Sequence, residues 1–199
     1  MKVAIIKYNA GNIMSVDYAL QRLGINAAVT DDISVIRTAD RVIFPGVGEA
    51  STTMKYLRDK KLDQLIPDLK QPVLGICLGL QLMCRHTEEG DTTCMGIFSE
   101  TVIKFNPATE LTGKLKVPHM GWNTIYNLKS NLFREIREDQ YFYFVHSYYA
   151  SAGNDTIASC NYPEKFSAAL QRNNFYATQF HPEKSGTTGA QILKNFLEL

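Results

Sequence analysis

The sequence predicts an α/β protein: a mostly parallel, doubly wound sheet flanked by helices, with antiparallel strands added in the second half of the chain. Three observations predict it. In the first half, short apolar runs alternate with helical periodicity at the spacing of βαβ units. From about residue 98 onward, strand-like runs follow one another between turns. The third is VLGICLGLQLM (73–83), where an apolar strand runs through Gly-x-Cys-x-Gly directly into a helix.

KVAIIKY (2–8) is apolar enough to be a strand buried on both faces. Asn9 to Asn12 form a turn, and MSVDYALQRLG (14–24) follows as an amphipathic helix. Val16, Ala19, Leu20 and Leu23 share its apolar face, and Gly24 stops it. INAAVT (25–30) is the second strand, 33–40 a short helix, RVIFPG (41–46) the third strand and ASTTMKYLRD (50–59) the next helix. VLGIC (73–77) is the fourth strand. The later runs are FSETVIKF (98–105), GWNTIYNL (121–128), QYFYFVHSYYA (140–150), DTIASC (155–160), FSAALQR (166–172) and FYATQFH (175–181), all expected as antiparallel additions. TTGAQILKNFLEL (187–199) closes the chain as a helix with Ile192, Leu193, Phe196 and Leu197 on one face.

A chain of 199 residues suits one domain with a sizeable core. Its net charge of +1 gives no footprint for nucleic acid or an anionic membrane. The four cysteines, Cys77, Cys84, Cys94 and Cys160, match no CxxC or zinc spacing. Neither a signal peptide nor a run of membrane-spanning length is apparent. The expectation is a cytoplasmic protein with free thiols, no metal and no cofactor.

The Gly-x-Cys-x-Gly junction has the form of a nucleophile elbow. Its sharp turn lifts the Cys77 sulfur clear of the sheet, and Gly75 and Gly79 leave room for the bend. The helix behind it favours thiolate, and the Leu78 N–H can hold a developing oxyanion. A lone cysteine there would read as a small buried hydrophobe, so the chemistry needs a base. QFHPEKSG (179–186) offers His181, with Glu183 two residues on as its orienter and Pro182 holding the pair extended. PGVGEA (45–50) ends the third strand in glycines that expose peptide N–H groups near Val47 and Gly48. It lacks the residues of a phosphate-binding loop, so an oxyanion contact fits better. The other histidines differ: His86 reads as surface, and His119 and His146 as hydrogen-bonded structural groups in apolar or aromatic settings.

PGVG, GICLGLQ and the late HPE resemble the class I (triad) glutamine amidotransferases in order and spacing, over nearly the whole chain. The resemblance implies the three-layer, flavodoxin-like α/β fold of that family as one domain over 1–199. It implies Cys77 as nucleophile, His181 as general acid/base and Glu183 as orienter. The oxyanion donors would lie at Leu78 and near Val47 and Gly48. Gly48, Gln81, Ser147 and Tyr148 would bind the glutamine substrate, Gln81 at its α-amino-acid end. KVPHMGWNTI (116–125), YFYFVHSYYA (141–150) and YNAGNIMSV (8–16) further resemble the glutaminase subunits of imidazole glycerol phosphate synthases, with Ala10 where those often carry proline. That implies a (βα)₈-barrel synthase partner in histidine biosynthesis, met by Asn12, Met120, Trp122, Tyr143 and Lys184, with glutaminase activity low until the partner is bound. Three readings stay open beside it: a glutaminase for another synthase, a stand-alone hydrolase of γ-glutamyl peptides, and a non-catalytic binding module.

Overall fold

A computed structural model describes residues 1–8, 13–106 and 116–199. The turn expected at 9–12, and with it Asn12, lies outside the described residues.

The first half builds β1 (Val3–Ile6), α1 (Ile13–Arg22), β2 (Ala28–Thr30), α2 (Ile33–Arg37), β3 (Arg41–Phe44), α3 (Ala50–Asp59), α4 (Leu62–Asp68), β4 (Val73–Ile76) and α5 (Leu78–Met83). Two-residue strands β5 (His86–Thr87) and β6 (Thr92–Thr93) follow, then β7 (Thr101–Lys104), β8 (His119–Thr124), β9 (Tyr141–His146), β10 (Tyr148–Ala150), β11 (Thr156–Tyr162), β12 (Glu164–Arg172), β13 (Phe175–Thr178) and α6 (Gly186–Leu197). The main sheet has seven strands in the order β11-β12-β13-β4-β3-β1-β2.

Residue alternation splits the core into two layers. Val3, Ile5, Ile43, Leu74 and Ile76 face one way and pack against Val16 and Leu20 of α1 and Ile192, Leu193 and Phe196 of α6. Ala4, Ile6, Val42, Phe44 and Val73 face the other way and pack against Met54 and Leu57 of α3, Leu65 and Ile66 of α4, and Leu80 and Met83 of α5. Successive side chains on a strand point to opposite faces, so strands buried on both sides must be apolar throughout.

The structure departs from expectation in three ways. The run at 175–181 supplies β13, which is antiparallel to β12 but parallel to β4, at the centre of the sheet. The hairpin at Asn173 turns the chain back along the direction of β4, and residues 179–181 leave the ladder at the carboxyl edge. The runs at 98–105, 121–128 and 140–150 lie outside the main sheet. Together with β5 and β6 they form a four-stranded sheet, β10-β7-β5-β6, and a hairpin, β8-β9. The 140–150 run itself is cut at Ser147 into β9 and β10. Finally, α4 and the pair β5–β6 have no counterpart in the sequence reading, being seven residues ending near Pro67 and two residues per strand.

Candidate active site

Cys77 is the hinge between β4 and α5. Its backbone takes φ 53° and ψ −106°, a conformation unusual for a side-chain-bearing residue, and its N–H donates to the Thr178 carbonyl at 2.7 Å. Glycines make the bend possible by contact. A Cβ on Gly79 would lie 2.1 Å from the Phe44 carbonyl oxygen, and one on Gly46 would lie 2.2 Å from the Gly79 nitrogen. The PGVG segment therefore sits directly on the first turn of α5, beside the sulfur. Gly48, at φ +126°, holds a conformation open chiefly to glycine.

The pairing of β13 with β4 sets Thr178 opposite Ile76, so the two chains leave the sheet side by side. Cys77 emerges from one and His181 from the other. Pro182 does not hold His181 and Glu183 extended, as the sequence reading expected. It opens a short 3-10 turn, Pro182–Lys184, a position where proline's missing N–H costs nothing. That turn folds Glu183 back so that Oε1 lies 2.8 Å from His181 Nδ1, with both side chains buried. Among the described residues, the buried Nε2 of His181 has no nitrogen or oxygen partner, and the Cys77 sulfur lies against the same ring. Burial alone would lower the His181 pKa. The charge and hydrogen bonding of Cys77, and then of Glu183, outweigh it and raise the pKa to about 10.

Ser185, which the sequence reading passed over, ties this turn down. Its Oγ donates to the His181 carbonyl at 2.7 Å and accepts from the Tyr143 N–H at 3.0 Å, while the His181 N–H donates to the Tyr143 carbonyl at 2.9 Å. His181 is thereby registered against β9. A serine after HPEK carries no periodic or motif signal of its own.

These elements enclose a cleft of about 240 Å³ lined by Gly46, Val47, Gly48, Cys77, Leu78 and Gln81 on one side and Val145, His146, Ser147 and His181 on the other. A larger groove of about 360 Å³ runs between α1 and α6, but its lining includes neither Cys77 nor His181. Of the residues expected to hold substrate, Gly48, Gln81 and Ser147 line the cleft. Tyr148 does not: its ring lies beneath the Lys104 ammonium, and its carbonyl accepts from Gln81 Nε2 and His146 Nδ1, both at 2.8 Å. With both amide hydrogens committed, to Tyr148 and to Gln179 Oε1 at 3.2 Å, Gln81 is left with Oε1 to offer a ligand.

His146 also lines the cleft, yet its environment is the reverse of that of His181. Its Nδ1 donates to a carbonyl, and its Nε2 accepts from His119 Nδ1 at 3.0 Å. Burial, then the neighbouring His119, pushes its pKa down to about 3; burial lowers His119 to about 4. Both are neutral at pH 7. His119 is stacked between Phe144 and Tyr162. His86 is half-buried on β5, with Asp91 3.3 Å away.

The outer face of the β8-β9 hairpin carries Met120 and Trp122, 65% and 55% exposed, with the Trp122 ring edge-on to Tyr143 across the ladder. Lys184 is exposed on the adjoining 3-10 turn. Among the described residues, no group of three or more His, Cys, Asp or Glu is placed to hold a metal, and no helix is long and apolar enough to cross a membrane.

Residues 5–199 match the glutamine amidotransferase class-I family. The chain is 60% identical to the imidazole glycerol phosphate synthase subunit HisH of Bacteroides fragilis, over the full length of both. It is 57% identical to that of Bacteroides thetaiotaomicron, again over both full lengths. A solved glutamine amidotransferase superposes with a TM-score of 0.75 at 18% identity, covering 98% of this chain and 97% of that one, which supports the fold. The chain belongs to the class I glutamine amidotransferases and, among them, to the HisH glutaminase subunits of imidazole glycerol phosphate synthase.

Proposed function

We propose that this cleft releases ammonia from the side-chain amide of glutamine for use by the synthase's other subunit, a (βα)₈ barrel. The observation that carries the reading is the buried imidazole of His181, braced by Glu183 on one nitrogen and facing the elbow sulfur of Cys77 with the other. The thiolate of Cys77 attacks the amide carbon, forming a C–S bond. The resulting oxyanion is held by the N–H of Leu78 and one from the Val47–Gly48 segment. His181 Nε2 gives its proton to the departing nitrogen as the C–N bond breaks. It then takes a proton from water, which cleaves the γ-glutamyl thioester and returns glutamate and free enzyme. Gln81 Oε1 suits the substrate's α-ammonium, and the backbone at Ser147 its carboxylate.

The patch of exposed Met120 and Trp122 and half-buried Tyr143, with Lys184 beside it, is the docking face for the barrel. Aromatic and methionine side chains are enriched at interface centres, and this patch shares β9 and the 3-10 turn with the base. The Val47–Gly48 peptide is the two-state element the partner biases, so that hydrolysis waits for the complex. The cytoplasm suits the four free thiols.

The test is ammonia release from glutamine by the isolated chain and by the complex with synthase ligand present. Cys77→Ala should abolish glutamine-dependent synthesis while synthesis from added ammonia continues. Equal loss of both activities, or full glutaminase rate without the partner, overturns the reading.

A further inference from the structure

Gln179 does not line the cleft, is fully buried, and lies two residues before His181. Its Nε2 is 3.6 Å from the Cys77 sulfur, and its Oε1 accepts from Gln81 Nε2. The orientation of this amide is dictated by a chain of bonds that begins at an atom able only to accept. The Tyr148 carbonyl takes one N–H of Gln81 and the Nδ1–H of His146. The second N–H of Gln81 then meets Gln179, which must present its oxygen there. Its NH₂ group is left pointing at the sulfur.

We infer that Gln179 is a positioning residue that donates a hydrogen bond to the Cys77 thiolate, holding the sulfur toward the cleft and linking it through Gln81 to the substrate's α-amino-acid end. The inference rests on Cys77 being the nucleophile. A donor aimed at a sulfur stabilises the anion more than the thiol, because charge-assisted bonds are the stronger ones. The sulfur's other hydrogen-bond contact works the other way: the Val145 carbonyl, 3.8 Å away, can only accept and so favours the protonated thiol. Of the two contacts, the one to Gln179 is strengthened when the proton leaves for His181, and the one to Val145 is lost. An amide does this without adding charge beside a base that already carries one.

The pairing also explains why two glutamines, on α5 and just past β13, are buried together. An unpaired amide at either position would leave a polar group without water or partner. Each satisfies the other, and the surplus donor goes to the reacting atom.

The test uses Gln179→Met, which keeps the length of the side chain and removes the donor, in the complete complex. Iodoacetamide alkylation of Cys77 is followed by mass spectrometry across pH 5–10. The expected result is a midpoint raised by about one pH unit and, below it, alkylation slowed about tenfold. Glutaminase kcat should fall by a similar factor, with KM for glutamine changing much less. A second measurement needs no variant at position 179. In the native chain, the side-chain amide protons of Gln179 should shift with the same midpoint as alkylation, and that shift should vanish in Cys77→Ala. An unchanged alkylation profile in Gln179→Met, or amide signals indifferent to the thiol, overturns the inference alone. Failure of native Cys77 to be alkylated, or alkylation that glutamine does not block, overturns the proposed function beneath it.

Discussion

Two buried histidines line the same cleft from different regions of the molecule, and they are in opposite states. His181, on the turn after β13, is backed by a carboxylate and faces a thiol, and its pKa is carried up to about 10. His146, at the end of the β8-β9 hairpin strand, is backed by a carbonyl and a second histidine, and falls to about 3. Burial acts in the same direction on both rings. What separates them is the partner: acids beside one, a neutral dipole and a like group beside the other. The proximity of a positive His181 further disfavours charge on His146. One cleft thus holds one ring that keeps its proton and one that stays neutral, the asymmetry the proposed acyl transfer would use.

Swapping the two rings' contributions should break this comparison most visibly. His181→Asn should lower glutaminase turnover in the complex by about 10⁶-fold, as loss of a triad base does. His146→Asn removes a cleft wall and one support of the Tyr148 carbonyl, and should cost about tenfold, the size of one hydrogen bond. Comparable losses in steady-state assays would erase the distinction. Glu183→Gln comes next. It keeps the shape of the orienter but allows the wrong tautomer of His181, and should cost about 10⁴-fold. A loss equal to that of His181→Asn would mean that Glu183 does more than orient.

The outer face of the hairpin sharpens the contrast between its two sides. Phe142, Phe144 and His146 alternate inward, and Trp122 projects outward at 55% exposure. On the proposed docking face, Trp122→Ala should weaken binding of the synthase's other subunit by about 2 kcal/mol, the scale of an interface anchor. It should leave the melting temperature of the isolated chain within about 1–2 °C, because little packing is lost. Calorimetric titration with the synthase subunit measures the first and a thermal melt the second. An unaltered affinity removes Trp122 from the interface.

The region around Cys77 was legible in the sequence because its constraints are local. A strand buried on both faces must be uniformly apolar, and the close approaches of Gly46 to Gly79 and of Gly79 to Phe44 exclude a side chain, so glycine is written into the motif. The region around His181 was legible only as a motif. Nothing in FYATQFH says that its strand lies parallel to β4, since direction is set by the preceding hairpin and by a ladder to residues a hundred positions away. The same holds for Ser185, Gln179 and the inward aim of His146. Each is defined by a hydrogen bond to a distant segment, and a single serine, glutamine or histidine has no period to betray it. The strand-like run at 140–150 misled for a related reason: its aromatics have strand propensity throughout, but Ser147 breaks it into two strands serving different sheets. Tyr148 was expected at the substrate from the family resemblance, through its backbone or hydroxyl, and nothing in its own stretch of sequence says that its ring lies beside Lys104.

The smallest effect expected tests the neutral half of the comparison through stability. His119 and His146 are lowered from the usual histidine value to about 4 and about 3 in the folded chain. Below pH ~6.5 the unfolded chain takes up protons on these rings and the folded chain does not. Their neutrality therefore contributes stability that is whole above pH ~6.5 and is lost progressively as pH falls toward 4, with a slope of at most about 1.4 kcal/mol per pH unit for each ring. His181 adds little slope below pH ~5.5, where its raised pKa leaves it protonated both folded and unfolded; nearer pH ~6.5 its slope has the opposite sign and is common to the native chain and the variant. His119→Phe keeps an aromatic ring between Phe144 and Tyr162 and deletes one titrating group. Urea unfolding at pH 4.5, 5.5 and 6.5 should show a shallower dependence in the variant, by up to one proton's worth, whatever happens to the absolute midpoint. Nitrogen-15 spectra of the rings should show His119 and His146 neutral at pH 5.5. A slope unchanged by the substitution, or a protonated His146 at that pH, would mean that the hairpin tolerates charge and that partner choice does not separate the two rings.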